Sequence, residues 1–192
     1  TVTGEYTDEH WEFVEPTDTD MLLVPDPKSL RKVPWAREPT AQIIADCYKA
    51  SGEPPPLASR TVLKNILSLY QQAGLRAEVA PEVEFYLVHK NTDPDYELMP
   101  PKGRSGRREV ARMSFSIDAV AEFEDFVEDM YDFADEQALS VDTLIHENGA
   151  AQLEINFNHG DPLDMADQVF VFKRTVRETA QKHGMYATFM AK

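Results

Sequence analysis

The chain has 192 residues, 34 of them acidic against 19 basic, a formal net charge of -15 and a single cysteine. That balance repels phosphate backbones and argues against nucleic acid as a partner, while leaving divalent metal and metal-bound nucleotide open. One cysteine allows no disulfide within the chain and fits a reducing compartment, so a cytoplasmic setting is expected; no apolar run approaches the roughly 20 residues that span a bilayer, so no membrane partner is expected.

Residues 1–57 read as a small β-rich piece. Residues 1–6, 21–24 and 40–48 are short runs of β-branched or apolar residues, separated by Asp, Thr and Pro punctuation. The piece has few apolar residues for a core of its own and reads as part of a larger sheet. Cys47, in an apolar run, reads as a small core residue. Gly52-Glu53-Pro54-Pro55-Pro56 is a stiff connector, because proline fixes its own φ and restrains the residue before it. It marks the domain boundary, with residues 58–192 as the second unit. There Val62, Leu63, Ile66, Leu67 and Tyr70 recur at helical spacing, with Ser59 as the expected N-cap and Gly74 as the stop. A strand follows at 80–88. Residues 91–108 are polar and rich in Pro, Gly and Arg; they lack the spacing of a P-loop and read as a mobile surface loop.

A second helix starts at Ser116 or Asp118. Val120, Phe123, Phe126, Val127, Met130, Tyr131 and Ala134 give its apolar stripe, and Glu122, Glu124, Asp125, Glu128 and Asp129 fill a face that reads as solvated surface. Residues 139–146 form a strand into the Asn148-Gly149 turn signal, and a second strand runs from 151 to 158. Asp161 caps a third helix with Pro162 at its first position. Ala166, Val169, Phe170, Val176 and Ala180 read as its buried stripe, Gly184 as its end, and 185–190 as a last strand.

The chemistry concentrates in two of these strands. Side chains alternate between faces, so Glu82 and Glu84 share one face of the first, with Val83, Phe85 and Leu87 behind. In the second, Gln152, Glu154, Asn156 and Asn158 go one way and Leu153, Ile155 and Phe157 the other, with Glu147 just ahead of the turn. If the strands are neighbours, Glu82, Glu84, Glu147 and Glu154 converge. Like carboxylates at short range raise one another's pKa, which makes such a cluster expensive without a cation. Oxygen donors of this kind suit Mg²⁺ or Mn²⁺, and paired ions can clamp a transferring phosphoryl group. His146 and His159 are the nearby imidazoles, each read as a hydrogen-bonded structural or surface histidine before a ligand.

At these residues the chain resembles the glutamine synthetase family. The resemblance rests on Pro81-Glu82-Val83-Glu84-Phe85, on the run from His146 to Glu154 (H-E-N-G-A-A-Q-L-E), on Ala187-Thr188-Phe189-Met190-Ala191-Lys192, and on the D-M-L-L-V-P-D run from Asp20 to Asp26. The wording of the middle region, G-R-S-G-R-R then S-F-S-I-D-A-V, is closer to the branch that joins glutamate to amines, γ-glutamylputrescine synthetases among them. The resemblance implies an α+β fold: a partial N-terminal β-grasp domain, then the first part of a catalytic domain with an antiparallel sheet and helices on one face. It implies ATP-dependent ligation of the glutamate γ-carboxylate to ammonia or a small amine through a γ-glutamyl phosphate. It assigns Glu84, Glu147 and Glu154 to a first metal site and Glu82 to a second, puts Asp142 and His159 towards the nucleotide, and makes the full protein a ring-shaped homo-oligomer. The remaining catalytic residues are expected beyond the chain ends, so this chain by itself is expected not to turn over. Two alternatives are carried: glutamine synthetase proper using ammonia, and a catalytically silent relative that only assembles.

Overall fold

The computed structural model describes residues 20–190 apart from 94 and 96, so the strand expected at 1–6 lies outside the described residues. Two short antiparallel ribbons come first. β1 (Leu22–Pro25) pairs with β4 (Ala45–Tyr48), and β2 (Arg31–Lys32) pairs with β3 (Ala41–Gln42). The run at 40–48 is therefore two strands. Leu22, Leu23 and Val24 are all exposed, and Cys47 is half-buried in the ribbon rather than inside a core.

The stiff connector leads into α1 (Ser59–Gln72). Ser59 is the first helical residue rather than the cap; Ala58 holds the cap position and offers no side-chain acceptor. Gly74 ends the helix at a φ of 71°, a left-handed conformation that favours glycine. The helical spacing is real, but Val62, Ile66 and Tyr70 are exposed and no α1 residue is fully buried.

The main sheet has strand order β6-β7-β5-β8 and is antiparallel throughout. Its members are β5 (Glu82–His89), β6 (Val141–His146), β7 (Gln152–Phe157) and β8 (Met185–Thr188). One face buries Phe85, Leu87, Leu153, Ile155 and Phe157 against helices α3 (Glu124–Glu136) and α4 (Pro162–Lys182). Each such Leu, Ile or Phe contributes about 1.5–3 kcal/mol relative to exposure. The architecture is α+β, with antiparallel strands and helices on one face of the main sheet.

Three details depart from the sequence pattern. The second helix is broken into α2 (Ile117–Ala121) and α3, with Phe123 out of helical geometry between them. Ser116 does cap α2, accepting from the Ala119 N–H. In α4, capped by Asp161 with Pro162 at its start, Ala166 and Phe170 face solvent, Phe170 at 71% exposure. Val176 and Ala180 are fully buried and Val169 packs against the core, as the spacing predicts, and the stripe also takes in Gln168, Thr175 and Thr179. Burial of these polar side chains is tolerable because each is bonded: Gln168 accepts from the Ser140 N–H, and Thr175 and Thr179 donate to carbonyls one turn back. Lastly, the basic half of the 91–108 segment is pinned to the helix junction. Arg104 pairs with Glu124 and Ser105 donates to Glu122, while Arg108 donates to the Pro100 carbonyl within the segment itself. Glu122 and Glu124 thereby gain partners, while Glu124, Asp125 and Glu128 stay exposed to solvent as expected.

One ionic cluster ties the first ribbon to the rest. The Arg60 guanidinium bonds Asp26 at 2.6 Å, Asp46 at 2.8 Å and Asp167 at 2.9 Å, and Lys64 adds a second contact to Asp46 at 2.6 Å. The cluster joins β4, α1 and α4 across the proline connector.

Candidate functional site

The register of β5 against β7 sets Glu84 directly opposite Glu154, and Glu82 opposite Asn156. The Leu87 N–H bonds the Ala151 carbonyl and the Phe157 N–H bonds the Pro81 carbonyl. These are the hydrogen-bonded pairs, so Glu84 and Glu154 form a non-hydrogen-bonded pair, in which Cα atoms lie about 4.5 Å apart and side chains are closest. On the other side of β7, Ile145 faces Glu154, and the Glu147 N–H bonds the Gln152 carbonyl. Glu147 therefore lies diagonal to Glu154 on the same sheet face, as Glu82 does from the β5 side. Diagonal neighbours are about 7–8 Å apart.

Glu154 is the centre of the four. It is 8% exposed. Burial pushes its carboxyl above the usual carboxylate range, and the charges of Glu82, Glu147 and Glu84 push it the same way; a hydrogen bond from Asn156 opposes them. That response to all three neighbours is the electrostatic signature of convergence on one face.

As the side chains lie, among the described residues no three His, Cys, Asp or Glu groups close round a common point. The carboxylates turn to local donors instead. Glu84 Oε2 accepts from Gln152 Nε2 at 2.6 Å, and Glu147 Oε2 accepts from the Asn148 N–H at 3.3 Å. Backbone register puts the four positions on one sheet face, while the side chains keep their separate local partners. The donor set is all carboxylate oxygen, which suits a hard divalent cation.

His146 does not belong to this face. It is 1% exposed and directed to the other side of the sheet from Glu147. Its Nδ1 lies 2.8 Å from the Glu147 carbonyl oxygen, and its Nε2 lies 3.0 Å from Glu109 Oε2. A carbonyl only accepts, so Nδ1 carries a hydrogen. Asp142 sits in the bulge of edge strand β6, exposed. Its backbone carbonyl accepts from the Tyr131 hydroxyl. Burial raises the Tyr131 phenol, and the Asp142 charge adds to that. His159 is exposed just past the end of β7. Neither contributes to the carboxylate cluster.

The turn between β6 and β7 works differently from an Asn-Gly hairpin. Ala151, fully buried, takes the positive φ of 54°. Gly149 is needed for space: a Cβ there would stand 2.5 Å from Tyr86 Cε1 and 2.7 Å from Gln152 Oε1. Gln152, fully buried, accepts from the Gly149 N–H and donates to Glu84, so one amide links the turn to the β5 carboxylate. Gln152 was legible from its place beside Glu154 in the alternating strand. Glu109, bonded to His146, has no local pattern to announce it.

Known proteins resemble the chain in sequence and in fold. The sequence model for the glutamine synthetase catalytic domain matches residues 56–192. The chain is 32% identical over 175 residues to a glutamine synthetase of Pyrococcus horikoshii, covering 91% of this chain and 37% of the relative. It is 34% identical over 180 residues to the γ-glutamylputrescine synthetase PuuA of Escherichia coli, covering 91% and 38%. Among solved structures, the GmaS/ADP complex superposes with a TM-score of 0.78 at 28% identity, covering 95% of this chain and 40% of that one. The chain thus spans well under half the length of the proteins it matches. Among the described residues no helix is long and apolar enough to cross a membrane. By the match of its catalytic-domain residues and the likeness of its fold, the chain belongs to the glutamine synthetase family.

Proposed function

We propose that the full protein is an ATP-dependent carbon–nitrogen ligase that joins the γ-carboxylate of glutamate to a small amine or to ammonia. The observation that carries this is the placement of Glu154, with Glu84 directly opposite and Glu82 and Glu147 diagonal on one sheet face. In this reading Glu84, Glu147 and Glu154 hold one divalent ion, Mg²⁺ or Mn²⁺, and Glu82 belongs to a second. Such ions supply charge neutralisation for a phosphoryl group in transfer. The chain's own part is orientation. The packed face behind β5 and β7 fixes the backbone of the carboxylates, Gln152 holds Glu84, and the buried side of β7 keeps bulk water from one flank of the site. The γ-carboxylate oxygen attacks the terminal phosphorus of ATP and releases ADP; amine nitrogen then attacks the acyl phosphate carbon and releases phosphate. Asp142 and His159, exposed outside the cluster, are the residues proposed to face the nucleotide.

The acceptor is read as an amine of the putrescine kind, supported by the wording of the G-R-S-G-R-R segment and by the likeness to an amine-using relative. Ammonia is the rival acceptor, supported by the likeness to a glutamine synthetase. Phosphate release by the full-length protein with ATP, glutamate and either ammonia or putrescine separates the two. Turnover with ammonia alone removes the amine reading. No turnover with any acceptor, in a protein that still assembles, favours the silent relative. Ring assembly is proposed too, supported by the exposed Leu22, Leu23, Val24 and Phe170; light scattering on the full-length protein tests it.

A further inference from the structure

We infer that Glu109 is a positioning residue for the metal-binding turn, acting through Ala151 and His146 on the direction of Glu147. It lies in the segment between β5 and α2, just past the 91–108 run that reads as surface loop. One of its oxygens, Oε2, does two jobs. It accepts from the Ala151 N–H at 2.8 Å and meets His146 Nε2 at 3.0 Å. Those two residues bracket the turn, His146 as the last residue of β6 and Ala151 as the last before β7.

Both ends of the turn need this hold. Ala151 is buried in a left-handed conformation, which a side-chain-bearing residue adopts only when its surroundings require it. Without Glu109 its N–H would lose the acceptor recorded for it. His146 is buried and is bound on its second nitrogen to the Glu147 carbonyl, so the ring transmits the grip of Glu109 to the backbone of Glu147 itself. The same segment fastens the turn twice more: the Phe115 N–H bonds the His146 carbonyl at 2.8 Å, and Ser114 Oγ bonds Asn148 Oδ1 at 2.6 Å. Glu109 is 13% exposed, and its other oxygen is buried without a hydrogen-bond partner. A carboxylate kept under those conditions is held for the contacts its first oxygen makes.

This rests on the proposed metal site, and residues that orient a ligand from behind typically change metal affinity by 10- to 100-fold when lost. The test is Mn²⁺ affinity and the paramagnetic resonance spectrum of bound Mn²⁺, measured on the full-length protein as wild type, Glu109→Ala and Glu109→Asp. Asp keeps the charge but is one methylene too short to hold both contacts. Expected is wild-type binding, a loss of about tenfold or more in both variants, and an altered spectrum of the bound ion. A purely structural role would lower the unfolding midpoint and leave the affinity of the folded protein unchanged; that result overturns the inference. Should Glu109→Ala not fold, Glu109→Asp decides alone, and wild-type affinity in it overturns the inference. Absence of Mn²⁺ binding in the wild type would refute the metal site itself, which is a distinguishable failure.

Discussion

Replacing Glu154 by Gln changes stability in opposite directions with and without a divalent ion. Glu154 has one like charge directly opposite and two diagonal to it. A directly opposed like pair on a sheet costs about 0.2–1 kcal/mol, and diagonal pairs cost less. Removing the central charge should therefore stabilise the metal-free protein by about 1 kcal/mol. On the proposed site, Mn²⁺ at about a hundred times its Kd would stabilise the wild type by about 2.7 kcal/mol, because it would bind only the folded cluster. The neutral amide that Glu154→Gln introduces cannot supply that charge, so in Mn²⁺ the variant becomes the less stable form by about 2 kcal/mol. The pH dependence follows the same logic. The folded state holds the Glu154 proton more tightly than the unfolded chain does. Metal-free stability consequently falls as pH rises from the unfolded Glu value of about 4.3 through the higher folded one, and the variant lacks that decline. Hydrogen exchange of the β5 and β7 amides in the full-length protein, in chelator and in Mn²⁺, reads both signs. A variant no more stable than wild type in chelator, and equally protected by Mn²⁺, would refute the argument.

Other substitutions test the scaffold. Arg60→Ala leaves Asp26 and Asp167 without their cation and Asp46 with Lys64 alone, the three side chains no more than 22% exposed, and should lower the opening free energy of the β4 amides by about 3 kcal/mol; exchange within 1 kcal/mol of wild type, roughly the value of a surface pair, would contradict this. Arg60 and the Lys28 N–H hold the Asp26 carboxyl below its usual range, and Lys64 and Arg60 do the same for Asp46 against the cost of its burial. Their contribution is present above the unfolded Asp value of about 3.9 and is lost as pH falls below it, so acid unfolding of the first ribbon should flatten in Arg60→Ala. Gly149→Ala forces a Cβ against the Tyr86 ring and should cost about 1–3 kcal/mol by urea denaturation; a neutral result would mean the ring swings aside freely.

What the sequence could show depended on whether a signal was local. The period-two alternation of β5 and β7 put Glu82, Glu84 and Glu154 on one face because strand geometry alone dictates it, and the Asp161-Pro162 start of α4 is equally local. The buried face of α4 is legible at Val169, Val176 and Ala180 but not at its polar members, because polarity alone suggests exposure. Thr175 and Thr179 return their hydroxyls to the helix backbone and Gln168 finds Ser140, so packing could turn them inward and leave Phe170 outside. The apolar stripe of α1 was legible as a helix, but the sequence does not say that this face lies open among the described residues. Glu109 was the hardest to see. Its partners lie 37 and 42 positions along the chain, and a lone glutamate among arginines carries no periodicity. Three of the four proposed metal carboxylates, Glu82, Glu84 and Glu154, sit on regular strands, whereas Glu109, proposed to position the turn, sits in irregular backbone. A pattern read from sequence finds the first kind and passes over the second, so positioning residues here had to come from the packed structure.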